Sequence, residues 1–142
     1  MTETVESTRF GTLEVPPEAV VEFPNGLIGL AGRRWALVPH DESGTFLWLH
    51  SLEDPALALP VTSPWRFFAD YEVVLSDAEA DRIGVADPRE AQVYVTVRPE
   101  SGEGRFSANL RAPIIVAGDR GYQVINGAGD AAVRTPLFGS AA

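Results

Sequence analysis

The chain contains no cysteine and no lysine, and only two histidines and one methionine. Without cysteine there is no disulfide, no thiolate metal ligand and no thiol nucleophile, a composition compatible with a reducing compartment. Without lysine there is no amine for Schiff-base chemistry and no phosphate-loop lysine, and no stretch matches G-x-x-x-x-G-K-[ST]. No apolar run approaches the roughly 18 residues of a membrane span. The first residues, MTETVESTRF, are acidic and polar where a secretory leader is basic and then apolar. These absences predict a soluble, cytoplasmic protein with no membrane attachment.

What the chain does have is acid. Twenty Asp and Glu face eleven arginines, for a net charge of −9. Residues 1–90 hold 16 acids and 6 arginines, whereas residues 91–142 hold 4 acids and 5 arginines, so the first two thirds carry the whole negative field. Such a field repels phosphate backbones and speaks against direct nucleic-acid binding. It favours a basic or amphipathic protein partner, and it also serves plain solubility. A length of 142 residues suits one domain over 1–142, with an ordered core over about 9–138 and frayed termini.

Short segments rich in Val, Ile, Phe, Tyr, Trp and Leu, cut by Pro, Gly, Asn and Asp, predict an all-β domain rather than βαβ units. The predicted strands are 8–15, 20–23, 35–38, 46–51, 56–62, 71–75, 91–97, 105–109, 114–116 and 121–125. Val93, Val95 and Val97 alternate with polar or amphipathic neighbours, the period-two pattern of a half-buried strand. In TFLWLHS, Phe46, Trp48 and His50 share one face and Leu47, Leu49 and Ser51 the other, so both faces are expected to be partly covered. One short helix is signalled over 76–83: Ser76 and Glu79 match a capping box, and Gly84 stands where a left-handed cap belongs. A further helical turn is expected after Pro64. The segments 86–90 and 99–104 read as turns, the latter tipping a hairpin.

Constellations for catalysis are thin, and no cofactor or metal is expected. His40, Asp41 and Glu42 are consecutive, and neighbours on a turn rarely converge on one metal, which needs three or four ligands at suitable spacings. His50 and Ser51 are strand neighbours whose side chains point to opposite faces. Asp77 and Asp81 share a helical face at i, i+4, but acids at an exposed helix start are dipole and solubility devices more often than an acid and base pair. GLIGLAG, from Gly26, lacks the strand–loop–helix context and spacing of a dinucleotide loop. Aromatic residues are plentiful. Trp35 and Trp48 read as core, whereas the cluster Trp65, Phe67, Phe68 and Tyr71 is harder to bury whole and suggests the edge of a groove.

Several phrases, in order along about residues 9–138, resemble one family. NLRAPI is similar to the Asn-Leu-x-Ala-Pro-Ile signature of the flagellar assembly factor FliW family. FPNGLIGL resembles its Phe-x-x-Gly-Leu-x-Gly-Phe entry, LHSLEDPALALPV its Leu-Gln-Ser-x-x-Asp-Pro-x-Leu-Ala-Phe stretch, and SPWRFFADYEVVLSD its Pro-x-x-Phe-x-x-Asp-Tyr-x-x-x-Leu segment. YVTV and YQVI match its valine-rich strand and its Gln-x-Ile. Three positions depart from that pattern: His50 replaces glutamine, and Leu30 and Leu59 stand where phenylalanine is common. The resemblance implies a small, antiparallel, barrel-like domain without catalytic activity. It implies cytoplasmic binding of flagellin, as a chaperone, through flagellin's terminal helical region. It also implies binding of the RNA-binding carbon storage regulator CsrA, relieving its repression of flagellin translation.

On this reading the acids Asp70, Glu72, Asp77 and Asp81 are expected to contact the regulator, and Trp65, Phe67 and Phe68 to receive a partner helix. The alternative is a ligand-binding or hydrolytic β-barrel with a pocket near His50 and Ser51. Asn109, Leu110, Ala112 and Pro113 read as architecture. Pro113 has no N–H and should not interrupt a ladder, so a bend, bulge or edge is expected there, with Leu110 buried and Asn109 satisfying freed backbone groups.

Overall fold

The computed structural model describes residues 3–8, 10–27, 29–30, 32–39, 45–84, 91–99, 106–127 and 135–136. The expected turn at 86–90, all of the one at 99–104 except Pro99, which ends a strand, the His40, Asp41 and Glu42 run, and the last residues lie outside them.

The strands are β1 (Glu3–Ser7), β2 (Gly11–Val15), β3 (Val20–Glu22), β4 (Arg34–Pro39), β5 (Phe46–Ser51), β6 (Ala58–Thr62), β7 (Gln92–Pro99), β8 (Phe106–Ala108), β9 (Ile114–Ala117), β10 (Arg120–Gln123) and β11 (Thr135–Pro136). One helix, α1 (Asp77–Ile83), stands between β6 and β7. Strands β3 to β7 pair in succession, β7 pairs with β9, β9 with β10, and β10 returns to β3, closing a barrel of seven strands. The described residues are therefore mainly β with one α-helix, as expected. The closing contact is the exception to antiparallel pairing: β10 meets β3 in parallel through Arg120 and Glu22, and Glu22 N–H donates to Asp119 O at 2.8 Å.

Alternation along the strands sends one set of side chains inward. Val21, Phe23, Trp35, Leu49, Val61, Ile114 and Val116 form the barrel interior, with Trp35 and Phe23 fully enclosed. The glycine at 121 lets the closing strands approach: a Cβ there would lie 2.5 Å from two Phe23 ring carbons and 2.9 Å from Val21 Cγ1.

The outer faces are covered too. The β1–β2 hairpin docks over β5, where the Phe10 ring sits 5.1 Å from Trp48 and 6.0 Å from His50, Thr8 N–H donates to Pro55 O, and Glu3 pairs with Arg34. Trp48 is thus half-buried on the outside, not in the core where its strand pattern had placed it. Over β7, β9 and β10 lies a second layer built from residues 64–83. Tyr71, Val95, Val97, Ala108 and Leu110 form one buried cluster with Trp65, Phe67 and Phe68 packed on it. Ile83, Val93, Ile115, Tyr122 and Val124 form another.

Candidate functional site

The second layer starts where Pro64 turns the chain into a single 3₁₀ turn, Pro64–Arg66, with proline at its start as the missing N–H allows. Trp65, Phe67 and Phe68 follow, brought together but only half-exposed. The Trp65 indole N–H donates to Tyr71 O at 2.9 Å, and Phe67 lies 5.9 Å from Phe46 of β5. These rings roof the barrel wall. The acids are arranged otherwise: Asp70, Glu72, Asp77 and Asp81 are all exposed along the same layer. The last two stand on α1, whose start carries the expected box. Ser76 Oγ accepts from Glu79 N–H, Glu79 accepts from Ser76 N–H, and Gly84 ends the helix at φ 86°.

Residues 71–75 were expected to be a strand. They alternate in burial as a strand does but join no ladder; a side chain holds them instead. Asn126, buried at 2% exposure, accepts from Val74 N–H at 2.9 Å and donates to Glu72 O at 2.8 Å, to Tyr71 Oη at 3.1 Å and to Leu110 O at 3.3 Å. Gly127 N–H donates to Val74 O.

The NLRAP phrase forms the other side of this junction. Val97 faces Ala108 and Tyr94 faces Ile114, so the two β7 residues between them lie opposite five residues, 109–113. Strands β8 and β9 are one strand interrupted by a wide bulge, where a proline costs no ladder bond. Four successive carbonyls, 110 to 113, find donors. Leu110 O accepts from Tyr71 Oη at 2.7 Å, Arg111 O from Asn126 N–H, Ala112 O from Gln123 Nε2 and Pro113 O from Val124 N–H. Asn109 Oδ1 accepts from the N–H groups of Arg111 and Ala112. Leu110, Ala112 and Pro113 are buried.

His50 and Ser51 offer no reactive site. Both are 1% exposed. His50 Nδ1 is 2.7 Å from Ser51 O, a carbonyl that only accepts, so Nδ1 donates to it, and Nε2 is hydrogen-bonded to Ser7 Oγ at 2.8 Å. Ser51 Oγ accepts from the N–H groups of Glu53 and Asp54 and caps a turn. An open cleft of about 530 Å³ does exist, but Ser63, Trp65, Ala69 and Ala91 to Tyr94 line it. The described residues hold no cluster of three or more metal-ligating side chains, and none of their helices is long and apolar enough to cross a membrane.

The sequence that builds this barrel and its second layer matches a family model. The model described as FliW protein matches residues 4–137. The chain belongs to the FliW family. It is 36% identical over 142 residues to the flagellar assembly factor FliW of Desulfitobacterium hafniense (strain Y51), covering 96% of this chain and 92% of that one. To the flagellar assembly factor FliW of Azoarcus sp. (strain BH72) it is 39% identical over 132 residues, covering 86% and 90%. A crystal structure of the flagellar assembly factor FliW matches with a TM-score of 0.84 at 23% identity, over 99% of this chain and 100% of that chain. At that identity the likeness concerns the fold alone.

The residues that organise this FliW-family site were only partly visible in sequence. Asn126 was missed, although Asn-Gly at 126–127 is a turn signal; its partners lie more than fifty residues away for Tyr71, Glu72 and Val74. Tyr71 was read as one ring of a cluster, whereas its hydroxyl is a structural donor. Burial pushes that hydroxyl from 10.0 up to about 12, against a smaller downward pull from Asn126. The folded protein therefore keeps this proton where the unfolded chain loses it. The contribution is whole below pH 10 and is lost as pH rises from 10 to about 12. Thermal melts across this range are expected to fall more steeply for the native chain than for Tyr71→Phe. The variant keeps a residual slope from Tyr94, whose hydroxyl burial also raises.

Proposed function

We propose that this protein is a non-catalytic flagellar assembly factor that works by binding proteins. It binds newly made flagellin as a chaperone and, in the cytoplasm, binds the RNA-binding translational regulator CsrA, so that flagellin supply is coupled to flagellin translation. Membership of the FliW family over residues 4–137 carries this reading, and the relatives compared above bear the name flagellar assembly factor. The charge pattern supports it. An RNA-binding protein presents cations that neutralise phosphate, and the exposed acids Asp70, Glu72, Asp77 and Asp81 offer such cations a complementary field that accelerates encounter.

The test is titration calorimetry of the purified protein with flagellin and with the CsrA-type regulator of the same organism. Both are expected to bind at low salt. The regulator complex is expected to weaken by about tenfold or more between 50 and 500 mM salt, as exposed charge pairs become screened. Added flagellin should displace the regulator. Neither heat nor co-elution with either protein at low salt would end this reading.

A further inference from the structure

We propose that residues 72–76 are a docking edge that pairs, strand against strand, with an extended basic segment of the regulator; this rests on the partner-binding reading above. In extended chain successive residues turn their main-chain groups to opposite edges. Glu72 O, Val74 N–H and Val74 O all turn toward Asn126 and Gly127. Tyr71, Val73 and Leu75 therefore face the other way. The Tyr71 carbonyl on that edge is taken by the Trp65 indole, but no hydrogen bond joins the main chain of Val73 or Leu75 to another described residue. A two-residue repeat of N–H and C=O groups is the template to which an added strand pairs.

The side chains fit the same use. Val73 and Leu75 pack inward onto the buried clusters, while Glu72, Val74 and Ser76 point outward. Val74 is 45% exposed and Ile125 53%. Ile125 and Gly127 are exposed between and beside the buried Val124 and Asn126, and a Cβ on Gly127 would meet Val74 Cγ1 at 3.1 Å. Val74 thus lies over Gly127, on the face that Ile125 presents, and the two form an apolar strip beside the edge. Residues 70–81 contribute five acids, Asp70, Glu72, Asp77, Glu79 and Asp81, and no cation. An apolar strip set in acid selects a segment that alternates apolar and basic side chains. A helix cannot use the edge, because its own backbone groups are already paired.

Amide hydrogen exchange by NMR on the full 142-residue chain, alone and with the purified CsrA-type regulator, tests this. The Val73 and Leu75 amides are expected to exchange rapidly in the free protein and about tenfold or more slowly in the complex, with Val74 and Gly127 unchanged. The double variant Glu72→Arg with Asp77→Arg should weaken the complex at least about tenfold. A complex that forms with Val73 and Leu75 exchanging as before overturns the docking edge and leaves the functional reading standing. Failure of both regulator and flagellin to bind overturns the functional reading and this inference with it.

Discussion

Replacing Gly121 with alanine is expected to cost about 3 kcal/mol and to lower the melting temperature by about 6–12 °C, the upper range for overpacking a well-filled core in a domain of this size. The added Cβ would fall 2.5 Å from two carbons of the Phe23 ring and 2.9 Å from Val21 Cγ1. Neither neighbour has anywhere to go, since Phe23 is 0% and Val21 2% exposed. The backbone at this glycine is not in the left-handed region, so the cost is steric alone. The substitution also strikes the seam, where β3 and β10 share a single parallel pair. Shortening the ring should relieve the clash: in the double variant Gly121→Ala with Phe23→Leu the two losses are expected to be less than additive. Denaturant and thermal unfolding of the four proteins would measure this, and a shift under about 2 °C for the single variant would show that the seam gives way freely.

Asn126→Ala should cost about 3 kcal/mol by a different route. The side chain removed is buried and makes four hydrogen bonds to two segments, three to residues 71–74 and one to Leu110. Its loss leaves Val74 N–H and Glu72 O without the partners that hold the extended segment, each worth about 1–3 kcal/mol if left buried and unsatisfied. Asn126→Asp is expected to be at least as damaging at neutral pH, because an ionised carboxylate cannot donate to Glu72 O, Leu110 O or Tyr71 Oη. It should recover in part as the pH falls and the acid regains a proton. Unfolding at pH 4 and pH 7 separates the two effects. An Asn126→Asp protein as stable as the native chain at pH 7 would mean that the carbonyls find water instead.

The parts of the fold that were legible in sequence are those whose causes are local. Strand β5 needs only its own alternation, α1 only Ser76, Glu79 and Gly84, and the bulge only the conflict between Pro113 and a ladder together with the capping habit of Asn109. Strand β1 was missed because ETVES carries one apolar residue in five; the hairpin is held by contacts with Pro55, His50 and Arg34, far along the chain. The segment 71–75 has the composition of a strand and its alternation of burial, but its partner is a side chain at 126 rather than another strand. The packing of the aromatic cluster was illegible for a related reason. A barrel with covered outer walls buries both faces of its strands, so period-two patterning does not reveal that Trp65, Phe67 and Phe68 serve as a roof. The exposed apolar residues of that layer are the smaller Val74 and Ile125, which no aromatic count would single out.

The bulge at 109–113 also sets how this protein can vary. An ordinary surface loop tolerates an inserted or deleted residue because few of its backbone groups have assigned partners. Here four successive carbonyls are each matched to a donor fixed elsewhere, on Tyr71, Asn126, Gln123 and Val124. A change of one residue in length would put the whole series out of step and shift Ile114 to the opposite face of the barrel wall. The segment is a ruler of fixed length, and changes in chain length belong at other connections.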